Sequence, residues 1–176
     1  MYHKKVTLCF LPAIIVTLMI FFLSSRNSMA SNAQSGELTQ SLMSFFDPSI
    51  ASEIGSFDLT TKEDFDQFFA TSNMSQINQY LRMFAHMCEF GGLGLMILLG
   101  SKLLEFTPKK AFRLTLIWGV IVSFLDELLQ AFVPGRTASF FDVCKDMIGI
   151  CGAILCIILI SHIMQRRHQK RSNTYQ

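Results

Sequence analysis

Charge is scarce in this chain. Asp, Glu, Lys and Arg make up 16% of its 176 residues, against 51% hydrophobic ones. Soluble domains carry about 25% charged residues, so the shortage excludes an ordinary soluble domain, and nucleic acid is not an expected partner. Cysteine is missing from the one long hydrophilic stretch. All five cysteines, Cys9, Cys88, Cys144, Cys151 and Cys156, fall in apolar runs, which rules out a disulfide framework and leaves them as small packing residues. No established metal motif, no serine or cysteine nucleophile signature and no internal repeat is present. Acid is also nearly missing from one set of helix ends. Lys4, Lys5, Lys102, Lys109, Lys110, Arg113, Arg166, Arg167, Lys170 and Arg171 flank those ends, and Glu105 is the only acid among them.

What remains is apolar and long. A bilayer core of about 30 Å takes about 20 apolar residues per helix. Four runs answer to that length: about Val6–Leu23, Met83–Leu104, Phe112–Ala131 and Val143–Met164. An all-α membrane protein with four transmembrane helices follows. The basic flanks place both termini in the cytoplasm. The long segment over about 24–82 and the Pro134–Arg136 turn then face outward. Lys4–Lys5, an apolar run and Ser28-Met29-Ala30 also fit a cleaved secretory signal, but the run exceeds the usual 7–15-residue signal core, which favours a retained anchor. Within the outward segment, Thr61-x-x-Asp64 reads as a capping box opening a short amphipathic helix, with Phe65, Phe68 and Phe69 on one face.

The third run breaks its own pattern. Asp126 and Glu127 stand side by side inside it, although a charge near a bilayer centre costs roughly 2.5–3.5 kcal/mol on insertion scales. At 1.5 Å per residue they lie about 21 Å along the helix from Phe112. Ser123, Asp126 or Glu127, and Gln130 form a polar stripe at helical spacing. His86 and Glu89, three positions apart, share a face near the outer end of the second helix. Asp142 and Asp146 do the same in the first turns of the fourth. Three segments thus bring polar groups to one depth, where they face each other rather than lipid. Gly91, Gly92 and Gly94 beside Glu89, and Gly149, Gly152 and Ala153 below Asp146, permit close helix approach. Arg136, just past Pro134-Gly135, sits at the rim with a fork suited to carboxylate or phosphate. Thr137 and Ser139 can cap the fourth helix, with Ser139-x-x-Asp142 as a second capping box. Lys145 reads as a partner of Asp146 or as a snorkelling side chain.

H-M-C-E-F before a glycine-rich apolar helix, D-E-L-L-Q-A-F-V-P-G-R-T-A-S-F-F-D-V, and D-M-I-G-I-C-G resemble the VanZ-like family. The resemblance covers about residues 82–160, and Phe22-Leu23-Ser24-Ser25 is similar to the end of that family's first helix. Phe90 departs from the family's tyrosine, so no hydroxyl role is expected there. The resemblance implies a small multi-pass protein of the bacterial cell membrane, whose namesake is associated with resistance to teicoplanin-type glycopeptides. It divides the chain into an anchor helix (1–23), an external segment (24–82), a VanZ-like three-helix core (83–164) and a basic cytoplasmic tail (165–176).

Four functions compete. One is binding or modifying an envelope lipid or lipid-linked precursor from the bilayer, with Gln130, Arg136, Asp142 and Asp146 holding the ligand. Another is an enzyme, in which His86 acts as base with Glu89 or Asp126 orienting it. In a variant of that enzyme, Glu89, Asp126 or Glu127, Asp142 and Asp146 bind a divalent cation such as Mg²⁺ or Mn²⁺. The third is ion- or proton-coupled transport, and the fourth a buried ionic knot that fixes helix register.

Overall fold

The computed structural model describes residues 2–26, 74–134, 136 and 138–174, with isolated positions at 38, 41, 42 and 45. The capping box and phenylalanine face expected over 61–69, and the roles given to Gly135 and Thr137, lie outside the described residues. Four long helices carry the described fold: α1 (Tyr2–Ser24), α2 (Met74–Leu103), α3 (Pro108–Gln130) and α4 (Phe140–Thr174). Among the described residues there is no strand. The helices outrun their apolar stretches. α2 begins at Met74, well before the expected Met83, and α4 continues into the basic tail.

Lys5–Ser24, Gln79–Leu103 and Phe140–Arg167 are each long and apolar enough to cross a membrane. The protein is a multi-pass, all-helical membrane protein. α3 is not among those three spans, because it is two-faced. Its buried face carries Ala111, Thr115, Gly119, Val122, Ser123, Asp126, Glu127 and Gln130. Its other face exposes Leu116, Ile117, Val120, Ile121, Phe124, Leu125 and Leu128. That exposed face suits lipid; of the charges that lower α3's hydropathy, Asp126 and Glu127 are buried in the bundle, while Lys109, Lys110 and Arg113 are exposed at its N-terminal end. Asp126 and Glu127 thus face protein rather than lipid.

α2 and α4 form the most extensive helix pair, and α1 packs on both α2 and α3. The α2–α4 approach is set by glycine. A methyl group at Gly149 would collide with the backbone of Met87 and Gly91, and one at Gly94 would come within 3.0 Å of Ala153 Cβ. Backbones this close need small residues at the crossing. Gly92 and Gly152, expected at the same contact, would meet nothing within 4 Å. The helix rotation takes them off the interface.

At the basic-flanked half, Phe10 of α1 packs on Trp118 of α3 and on Phe106 of the α2–α3 turn, with ring centroids 5.9 and 6.4 Å apart. The turn closes α2 by a Schellman arrangement: the Phe106 N–H donates to the Ser101 carbonyl and the Glu105 N–H to that of Lys102, both at 3.0 Å. Its left-handed residue is Glu105, at φ 56°, a position usually given to glycine. Phe90 is fully buried in the apolar core, so nothing there calls for a hydroxyl.

Candidate functional site

The polar cluster lies between helices, and every helix contributes to it. α3 turns Ser123, Asp126 and Gln130 inward because they fall on one stripe at i, i+3 and i+7. α4 crosses that stripe with Asp146 in its second turn. The Ser123 hydroxyl donates to Asp146 Oδ2 at 2.7 Å, and the Gln130 side-chain amide donates to Asp126 Oδ2 at 2.8 Å. From α2, His86 Nδ1 stands 3.4 Å from Asp146 Oδ1. From α1, Ser24 brings its buried hydroxyl towards Asp126. Asp126 and Asp146 are both 0% exposed. One ligand-type atom from each of His86, Asp126 and Asp146 lies within 4.8 Å of the others.

Polar atoms buried in hydrocarbon normally find partners inside the protein, since each unmet one costs several kcal/mol. Here several do not. Asp126 Oδ1, Asp146 Oδ1 and His86 Nδ1 are buried without a hydrogen-bond partner, as are Glu127 Oε1 and Arg136 Nε.

Asp126 and Glu127 separate, as adjacent helical residues about 100° apart must. Asp126 joins the His86–Asp146 group. Glu127 leans towards the start of α4, where its Oε2 accepts the Ser139 N–H at 2.7 Å. A carboxylate at a helix N-terminus satisfies an otherwise orphaned donor and complements the helix dipole. This replaces the capping box expected within α4: Ser139 is bonded by Glu127, and Asp142 pairs with Lys145 instead. Lys145 accordingly faces Asp142 rather than Asp146, which the i, i+3 spacing permits.

Glu89 is half-buried, with His86, Asp126, Asp146 and Arg136 in electrostatic range. Arg136 in turn lies close to Arg82, which also feels Asp142. The expected cation set of Glu89, Asp126 or Glu127, Asp142 and Asp146 is thus not one group. Asp126 and Asp146 meet with His86, while Glu127 and Asp142 are engaged at the start of α4. Arg82 lies before the apolar run, so hydropathy alone does not single it out. Its spacing of four from His86 and seven from Glu89 puts it on their face, and that signal was available.

A family model described as VanZ/LLP1 matches residues 9–161. The match spans most of the chain and reaches into α1, so the chain belongs to that family. Neither the curated proteins nor the solved structures contain a match.

Proposed function

On the premise of VanZ/LLP1 membership, we propose that this protein binds or modifies an anionic headgroup of an envelope lipid or lipid-linked precursor at its polar end. It does so in the bacterial cytoplasmic membrane, with both termini inside and the Arg136 end facing out. The observation that carries the reading is the unpartnered buried guanidinium nitrogen of Arg136 beside the cluster, within electrostatic range of Arg82. Two guanidiniums within electrostatic range of each other favour an anion such as phosphate or carboxylate near them, and Arg136 offers a planar fork for bidentate contact. The basic flanks of the opposite helix ends support the orientation. A contribution to resistance against teicoplanin-type glycopeptides, with which the family's namesake is associated, belongs to the same reading.

A second reading is a membrane enzyme acting on a phosphate-containing lipid. The His86–Asp146 pair at 3.4 Å favours it, because a histidine beside a carboxylate is an arrangement used in proton transfer. Transport is less favoured, because the charged cluster gathers at one end and Phe10, Phe106 and Trp118 pack together at the other.

The test is binding of the full-length protein, in nanodiscs, to anionic and zwitterionic envelope lipids, read by native mass spectrometry. Arg136→Lys keeps the charge but removes the fork, and it should weaken anionic-lipid binding about tenfold, or 1.4 kcal/mol. Arg136→Lys and Arg136→Gln both binding as well as the unaltered protein would remove the headgroup role.

A further inference from the structure

We propose that His86, Asp126 and Asp146 form a three-ligand site for a divalent transition-metal cation, with Zn²⁺ preferred over Mg²⁺ and Ca²⁺. Three independent features meet at these residues.

The first is the distribution of satisfied and unsatisfied atoms. On each aspartate one oxygen is held by a neighbour: Asp146 Oδ2 by the Ser123 hydroxyl, Asp126 Oδ2 by the Gln130 amide. The other oxygen of each, and His86 Nδ1, are buried without a hydrogen-bond partner, with the Ser24 hydroxyl also turned towards Asp126. Metal-ligating carboxylates are held in this way, with outer-shell donors fixing one oxygen while the other meets the ion. Ser123 and Gln130 would be those outer-shell donors.

The second is distance. His86 Nδ1 and Asp146 Oδ1 are 3.4 Å apart, beyond the usual 2.7–3.2 Å of an N–H···O bond. Two ligands about 2.0–2.1 Å from a tetrahedral zinc stand roughly 3.3–3.4 Å from each other. The ligand atoms of all three residues already lie within 4.8 Å of one another.

The third is charge. Asp126 and Asp146 are fully buried, and when ionised they carry two negative charges into a membrane interior. A proton on His86 cancels one of them. A divalent cation on a neutral imidazole cancels both. Lys145 does not serve, being paired with Asp142.

The donor set decides the class of ion. Imidazole nitrogen suits zinc and its transition-metal neighbours, whereas Mg²⁺ and Ca²⁺ prefer oxygen throughout. Three protein ligands leave a coordination position open, the pattern of catalytic rather than structural zinc. Resting on the headgroup reading above, that position would accept a headgroup oxygen, with Arg136 and Arg82 holding the remainder of the anion.

The experiment uses the full-length protein in nanodiscs, stripped with chelator, exposed to ZnCl₂, desalted, and analysed for metal by mass spectrometry. About one Zn²⁺ per chain is expected. Asp126→Asn, Asp146→Asn and His86→Gln should each lose most of it, while Glu105→Gln and Cys156→Ser, remote acid and thiol controls, should keep it. Thermal melts accompany each sample. Zn²⁺ should raise the midpoint of the unaltered protein and leave that of the folded Asp146→Asn variant unmoved. Should the variants fail to fold, Co²⁺ loaded into the unaltered protein decides: a four-coordinate visible spectrum with imidazole ligation supports the site, and a spectrum of hydrated Co²⁺ overturns it. Zn²⁺ retained equally by an Asp126→Asn/Asp146→Asn double variant also overturns it. Lipid binding on the same samples separates the two ideas. Zinc without anionic-lipid binding supports the cation site and removes the headgroup reading, and lipid binding without zinc does the reverse.

Discussion

The two halves of the bundle solve opposite problems. In the half flanked by basic residues, Phe10, Phe106 and Trp118 fill the space between α1, α3 and the α2–α3 turn. Two backbone hydrogen bonds close that turn. In the other half, the buried polar residues are Ser24, Ser123, Asp126, Glu127, Gln130 and Asp146, against Ser101 and Thr115 in the first, and several of their polar atoms lack a partner. Lipid is as apolar as a leucine side chain, so helix association in a membrane rests on packing and on interhelical hydrogen bonds. The aromatic half supplies packing that holds the helices. The polar half retains an unmet demand for partners, and a site that spends stability in this way is a functional candidate by default.

The sharpest way to break this contrast is to remove charge from the polar half without changing shape. Asp126→Asn keeps the side chain's size and its capacity to bond Gln130. Losing a buried charge should leave the melting midpoint in detergent unchanged or raised. Activity in a glycopeptide-susceptibility or lipid-binding assay should fall by about tenfold or more, at least 1.4 kcal/mol of lost interaction. A fully active Asp126→Asn protein would make the cluster a structural knot and erase the contrast.

The aromatic half should give the converse result. Phe10→Ala opens a cavity against Trp118 and Phe106. In water such changes cost about 3–5 kcal/mol, but the transfer component fades when the competing solvent is lipid. A loss of about 1–3 kcal/mol is expected, read as a lower unfolding midpoint in graded denaturing detergent, with lipid affinity per folded molecule unchanged. If lipid affinity falls with stability, the halves are coupled and the division is too simple.

The smallest effect concerns the α2–α3 turn. Glu105 holds a left-handed conformation that costs an ordinary L-residue roughly 1–2 kcal/mol. Glu105→Gly should therefore stabilise the protein by about 1 kcal/mol, less what glycine loses in chain entropy, with no change at the polar end. A destabilised variant would mean that the Glu105 side chain contributes more than its strained backbone costs.

Much of this was legible before any coordinates. The spacing of Ser123, Asp126 and Gln130 announced an inward polar stripe, and His86, Glu89, Asp142 and Asp146 all lie at the same end. Adjacent acids about 100° apart on a helix cannot project alike. Which went where was not legible, because the answer depends on how α4 crosses α3. That crossing brings Asp146 to Ser123 and leaves Ser139 opposite Glu127. The glycines tell the same story. Gly91 and Gly149 meet at the α2–α4 contact while Gly92 and Gly152 do not, and every one of them reads alike along the chain.

Composition and period were enough to determine that this is a helical membrane protein, how many long helices its described residues form, and the end at which its polar residues gather. Those properties follow from local rules, the length needed to cross hydrocarbon and the rise and turn of a helix, which act within one segment. Only the tertiary structure decided that His86 joins Asp126 and Asp146, that Ser24 of α1 closes on Asp126, and that Arg136 stands by Arg82. Those pairings depend on the rotation of each helix about its axis and on its crossing with the next. Backbone contacts such as Gly149 on Met87 and Gly91 set both quantities, and the two members of each contact lie on different helices, beyond the reach of any periodicity within one.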